Sequence, residues 1–218
     1  MSKVKDEIKI LSPEIPEKLE QLDIGNKTIE DEDFFSMGII SDCYIEEQRA
    51  DKVIFEKVIF KNVIFEDVFL NALELTDVKF INCDLSNIDL SGGIIHRVEF
   101  VDCKMIGVKL TNGTLRNVLF TNCNLNYSIF RFSDLKQVKF IESLLNNVDF
   151  QNSKFSKIGF TDIDMKRIQM VGVALKGIDL RTCNIEGIGI RIEDLNGVIV
   201  SNMQVIQLAG LLGVVIKE

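Results

Sequence analysis

The residues with the greatest chemical reach in this sequence of 218 residues are five cysteines, Cys43, Cys83, Cys103, Cys123 and Cys183, and a single histidine, His96. Thiolates close together could hold a metal ion, and a thiol beside an imidazole could act as a nucleophile. The numbering weakens both ideas. All five cysteines end in 3, two residues before a central apolar residue, a column whose other occupants include Val53, Val58, Val63, Val68, Val78, Ile88, Val98, Val108, Val118 and Ser143. Cysteine in such a column reads as a small buried filler. An odd count argues against a disulfide framework. His96 follows the apolar Ile95 and should point outward, away from any buried partner that could orient it. The carboxylates Asp162 and Asp164 read as solvated rather than as an acid/base pair, which would need a groove. Gly187-Ile-Gly189 lacks the rest of a dinucleotide fingerprint. The expectation is therefore no catalytic residue, no cofactor, no metal and no enzyme.

The elements that position these residues are set by a period of five. Every residue whose number ends in 0 or 5, from Phe55 to Val200, is aliphatic, Phe or Met. Two places before it stands a small apolar residue, as in Val58-Ile-Phe60, Val78-Lys-Phe80 and Val118-Leu-Phe120. Two places after it stands a turn former, as in Asn62, Asp67, Asn82, Asn87, Gly92, Asp102, Gly107, Asn112, Asn117 and Asn122. Alternating inward residues make a very short strand, and Asn, Asp and Gly accept left-handed corners. Four corners close a square, so residues twenty apart should stack. Phe60, Phe80, Phe100, Phe120, Phe140 and Phe160 are spaced by twenty, as are Cys83, Cys103 and Cys123.

These motifs resemble those of the pentapeptide-repeat proteins over residues 35–200, including the quinolone-resistance and mycobacterial fluoroquinolone-resistance members. The resemblance implies an all-β fold, a right-handed quadrilateral β-helix of about eight coils, each rising roughly 4.8 Å. It also implies a protein partner, DNA gyrase or topoisomerase IV, bound by imitation of B-DNA, and a symmetric dimer made by the C-terminal end. The register has no loop insertions, unlike the plasmid-borne quinolone-resistance members.

The sequence divides into an N-terminal segment, 1–34, the repeat region, 35–200, and a C-terminal cap and dimerisation element, 201–218. The first segment holds both prolines, Pro13 and Pro16, and reads as irregular or as a short helix around Glu17–Leu22. The first coil is degraded, with Gln48 in an inward column and Ala50 at a centre. At the other end Ser201 and Gln204 form a capping box for a helix carrying Val205, Leu208, Ala209 and Leu212, with Gly213 as its stop and Val214–Ile216 as a β-prone tail.

Net charge is −8, which lowers the expectation of direct nucleic-acid binding. Residues 1–50 carry 13 acidic and 6 basic side chains, residues 51–102 carry 10 and 5, and residues 103–192 carry 7 and 13. A uniform DNA mimic is not supported by this distribution. The alternative is a scaffold whose basic later coils, with Arg116, Arg131, Lys136, Lys139, Lys154, Lys157, Lys166 and Arg167, meet an acidic protein. The charged start and the lack of an 18-residue apolar run point to a cytoplasmic protein with no signal peptide and no membrane contact.

Overall fold

The structure is a computed structural model that describes residues 8–25 and 27–215. It is a parallel β-solenoid. Among the described residues twelve strands occur: β1 (Glu20–Gln21), β2 (Phe34–Ser41), β3 (Tyr44–Glu46), β4 (Arg49–Asp51), β5 (Ile54–Lys61), β6 (Ile64–Glu66), β7 (Phe69–Asn71), β8 (Glu74–Ile81), β9 (Ile94–Val101), β10 (Thr114–Thr121), β11 (Asp134–Ile141) and β12 (Lys154–Thr161). The large sheet runs β1-β2-β5-β8-β9-β10-β11-β12. The register is twenty: Phe60 pairs with Phe80, Phe80 with Phe100, Phe100 with Phe120, Phe120 with Phe140 and Phe140 with Phe160. Elsewhere the coils are joined by short pairings such as β3 with β6, and by single bridges such as Asp84 with Lys104.

The corners are where the sequence places them. Residues ending in 2 or 7 adopt positive φ along the repeat, from Met37 to Arg167, with Gly172, Gly177, Gly187 and Gly197 continuing the series. Left-handed backbone is cheap for Gly and tolerable for Asn and Asp. This fold also imposes it on Tyr127 and Phe132, which stand exposed on adjacent corners of one coil. Each eight-residue strand bends at such a corner, at its fourth residue, so its two halves lie on adjacent sides of the square.

The interior is a ladder of rings and aliphatic chains. Phe60, Phe80, Phe100, Phe120 and Phe140 stack with centroids 4.6 to 4.9 Å apart. Buried serines in the inward columns give their hydroxyls to main chain: Ser128 Oγ donates to the Met105 carbonyl and Ser133 Oγ to that of Leu110. Cys123 Sγ does the same toward the Phe100 carbonyl.

Seven eight-residue strands succeed one another, and the path then changes. Residues 174–181, next in the series, form no strand, and one coil later a 3-10 turn, Ile192–Leu195, lies in the same place, so the stack ends in bridges such as Asp179 with Ile199. Helix α1 (Asn202–Ala209) closes this end, capped as the Ser201/Gln204 spacing predicts. Gln204 Nε2 reaches inward and donates to the carbonyls of Leu180 and Cys183, each at 2.7 Å. A 3-10 turn, Gly210–Leu212, follows, and Gly213 is left-handed. Val214 and Val215 are exposed and form no strand; Ile216 lies outside the described residues.

The other end is closed by residues 22–33. Ile24 and Ile29 are buried on the first coil. Gln48, polar in an inward column, accepts from the Ile29 N–H at 2.8 Å and donates to the Glu46 carbonyl. The segment around Glu17–Leu22 is not helical. Glu20 and Gln21 pair with Gly38 and Ile39 as a strand, because the edge of β2 offers main-chain partners that a lone helical turn would lack.

Candidate functional site

The buried thiols stand among the packed side chains of the core. Cys83, Cys103, Cys123 and Cys183 are buried, and Cys43 is half-buried. The neighbouring Cys123 thiol and burial push the Cys103 thiol up to about 12, and the Cys83 thiol is raised as well, by its contact with Cys103 and by burial. The contact with Cys103 lowers the Cys123 thiol instead, whereas thiols held protonated, as Cys83 and Cys103 are, make poor nucleophiles and poor ligands. Among the described residues no group of three His, Cys, Asp or Glu side chains is placed to hold a metal. His96 sits outward on β9, in register with Thr76 and Arg116. Asp162 is an exposed corner residue, and Asp164 lies half-buried on the next side, near Asn146. Gly187 is a corner at φ +69, and a Cβ on Gly189 would collide with the Gln169 side chain. An internal gap of about 10 Å³ is ringed by Phe55, Phe60, Phe80 and their aliphatic neighbours. That is too small and too apolar for a ligand.

The outward side chains are therefore the chemistry on offer, and the structure sorts the basic ones. Arg116, Lys136, Lys154 and Lys157 come together on the first half of β10, β11 and β12 and at the corner of β12, with Arg116 and Lys136 in register. Lys176 follows on the same side one coil later, in the column of Lys136. It was missing from the sequence-derived set, although its spacing of forty from Lys136 marks it. Lys136, Lys154, Lys157 and Lys176 are exposed. Among the described residues none of these four has an ion pair, whereas Arg116 pairs with Asp134, Arg131 with Asp149 and Arg181 with Asp179. Lys139 points to the adjacent side, and Lys166 and Arg167 lie across the rod beside Asn146 and Asn147.

The acidic side chains arrange differently. One corner reads Asp42, Asn62, Asn82, Asp102, Asn122, Glu142 and Asp162, all at positive φ. Amides and carboxylates hydrogen-bond up this column: Asn62 Nδ2 donates to Asp42 Oδ1 at 2.7 Å, and Asn122 Nδ2 to Asp102 Oδ1 at 2.7 Å. The Asn62 amide and the Ser41 side chain hold the Asp42 carboxyl below its ordinary value. No basic residue interrupts this column from Asp42 to Asp162.

The C-terminal helix presents a third surface. Met203, Val205, Ile206 and Leu212 are exposed there, Met203 to 72%. Among the described residues no helix is long and apolar enough to cross a membrane.

Residues 73–150 match a family model described as a pentapeptide repeat region. No curated protein matches the sequence. Solved structures of similar shape include a trypsin-treated variant of QnrB1, a plasmid-mediated fluoroquinolone resistance protein, at 14% identity and TM-score 0.46, covering 83% of this chain and 100% of that one. They also include HetL, a pentapeptide repeat protein involved in heterocyst differentiation regulation from the cyanobacterium Nostoc sp. strain PCC 7120, at 11% identity and TM-score 0.49, covering 78% and 87%. The repeat-region match and the square coil agree: residues 73–150 are similar to a pentapeptide repeat region, and the fold around them is a parallel β-solenoid.

Proposed function

We infer that this protein is a non-catalytic interaction scaffold that binds an acidic protein partner along the lysine face of its later coils. The observation that carries this reading is the clustering of Lys136, Lys154, Lys157 and Lys176, exposed and without ion pairs among the described residues, on one side of the later coils. Like charges gathered without counter-charges cost folding energy and raise the association rate of an acidic partner. The convex surface has the interior of a packed core beneath it, so recognition falls to outward side chains alone. The test is fluorescence anisotropy with a labelled 20-residue Glu/Asp-rich peptide, at low and at physiological salt. Binding that weakens with salt and is lost in Lys136→Glu/Lys154→Glu/Lys157→Glu supports the reading. Equal binding by the triple variant, or tighter binding of duplex DNA than of the peptide, contradicts it.

A second reading is favoured by the acidic corner. Imitation of DNA would place type II topoisomerase on the column from Asp42 to Asp162. One strand of B-DNA carries a charge about every 3.4 Å, so the roughly 29 Å of this column corresponds to about eight phosphates. The column supplies carboxylates at Asp42, Asp102, Glu142 and Asp162 alone, about half that density. Inhibition of gyrase supercoiling, or protection of gyrase from a fluoroquinolone, at micromolar protein supports mimicry. Unchanged supercoiling in both arms removes it.

A further inference from the structure

The N-terminal segment does more than close the first coil. Residues 8–19 run along one corner of the rod, from the later coils back toward the first. Gln137 Nε2 donates to the Lys9 carbonyl at 3.2 Å, the Leu11 N–H donates to Asn117 Oδ1 at 3.2 Å, and the Glu14 N–H donates to Asp77 Oδ1 at 2.9 Å. These three corner residues belong to one column of the stack. An extended chain rises about 3.3 Å per residue, so the three steps from Leu11 to Glu14 cover about 10 Å, the height of the two coils between Asn117 and Asp77. The segment is thus held extended and in step with the coils.

Every one of these bonds is made to strap main chain, and none reads a strap side chain. On the acidic corner the amides satisfy one another up the column. On this corner the column bonds persist, Gln137 Nε2 to Asn117 Oδ1 and Arg97 to Asp77, and the same side chains take the strap as well: Asn117 Oδ1 also accepts the Leu11 N–H. Asp77 is 1% exposed, bound by the Arg97 guanidinium on one side and the strap on the other. Two of the strap's apolar residues, Ile8 and Ile10, border a hollow on the adjacent side of the sheet with Leu119, Lys139 and Ile141, while Leu11 is exposed. Outward Ile81 and Val101 continue that side toward the first coil, half-buried.

We propose that the corner carrying Asp77, Asn117 and Gln137, with the Leu119–Ile141 side beside it, is a binding track for an extended partner segment with aliphatic residues at alternate positions, occupied in cis by residues 8–19. Main-chain donors and acceptors supply the attachment and alternate aliphatic side chains the fit, as in other extended-peptide sites. The strap shows which chemistry the track accepts. A partner segment of the same kind displaces it, and the covering of Leu119 and Ile141 by the strap keeps an apolar side out of water until then. This rests on the scaffold reading, but it concerns a different surface from the lysine face, so the two can fail separately.

The experiment uses the full chain. Leu11→Pro/Glu14→Pro removes both strap donors and leaves the track intact. The probe is a labelled synthetic peptide copying residues 8–19, titrated into wild-type and double-variant protein, with trypsin cleavage after Lys18 as an independent measure of strap release. The expected result is faster cleavage of the double variant, binding of the peptide at least tenfold tighter than to wild type, and loss of that gain when Asn117→Ala is added. Equal affinity for the two chains overturns the proposal, as does no binding to the double variant. Unchanged cleavage overturns it too, since these bonds then do not hold the segment.

Discussion

Phe100 and Phe120 stack with ring centroids 4.9 Å apart and planes 4° from parallel. Phe140 continues the column 4.8 Å beyond Phe120. Phe120 is fully buried, so its loss leaves a cavity that rings fixed above and below on paired strands cannot fill. Phe120→Ala should cost about 3–5 kcal/mol. Chemical denaturation followed by circular dichroism measures this, and a loss under 1 kcal/mol would mean that the column is not the main support of the core.

The far end of the rod depends on one amide. Gln204 completes the capping box with Ser201 and satisfies the carbonyls of Leu180 and Cys183. Gln204→Ala gives up the cap and leaves the buried Cys183 carbonyl bare, while the Leu180 carbonyl keeps the Cys183 N–H, at about 2–3 kcal/mol. Because a solenoid transmits stability from neighbour to neighbour, the loss should appear first at this end. Hydrogen exchange should rise in residues 180–209 and hold steady at β8 and β9; a uniform rise would argue for a different role.

The apolar residues of α1 are more than a lid uses. Met203, Val205 and Ile206 stay exposed after the helix has closed the end. A second copy of the same end would cover them and give a twofold dimer. Sedimentation should report a dimer for the wild type and a monomer for Met203→Glu/Ile206→Glu. A monomeric wild type at 100 μM protein would end the dimer proposal.

Acid should loosen the strap corner. Burial alone would raise the Asp77 carboxyl, but the Arg97 guanidinium and the Glu14 N–H outweigh it and hold it below the ordinary value. A carboxyl lowered in the folded state contributes stability that is full above the unfolded value, about 3.9, and is lost as pH falls through the folded value. Thermal melts should therefore show a steeper fall below about pH 4 in the wild type than in Asp77→Asn. Parallel curves would show that Asp77 titrates alike in both states.

Much of this was legible in the sequence, for a physical reason. A side chain that must point inward every fifth residue leaves no freedom at Phe60 or Phe120, and a left-handed corner leaves little at Asn62 or Asn122. The capping box was likewise readable, because Ser201 and Gln204 act on their own helix. The strap was not. Its partners Asp77, Asn117 and Gln137 lie 63, 106 and 128 residues from Glu14, Leu11 and Lys9, and they bind main chain, which carries no signature in residue type. The expected helix at Glu17–Leu22 gave way to a strand for the same reason, since the β2 edge that recruits it is distant information. The lysine face was half visible: residue types gave a basic region, but the ion pairs that neutralise Arg116 and Arg131 and spare Lys136 and Lys154 depend on which residues stack.

The most direct measurement of the scaffold reading is a lysine footprint. The protein is reductively methylated with and without a saturating Glu/Asp-rich peptide, and each lysine is quantified by mass spectrometry. Lys136, Lys154, Lys157 and Lys176 should be protected together while Lys52 and Lys61 stay reactive. Protection confined to the early coils, or spread evenly over the rod, would contradict a binding face on the later coils.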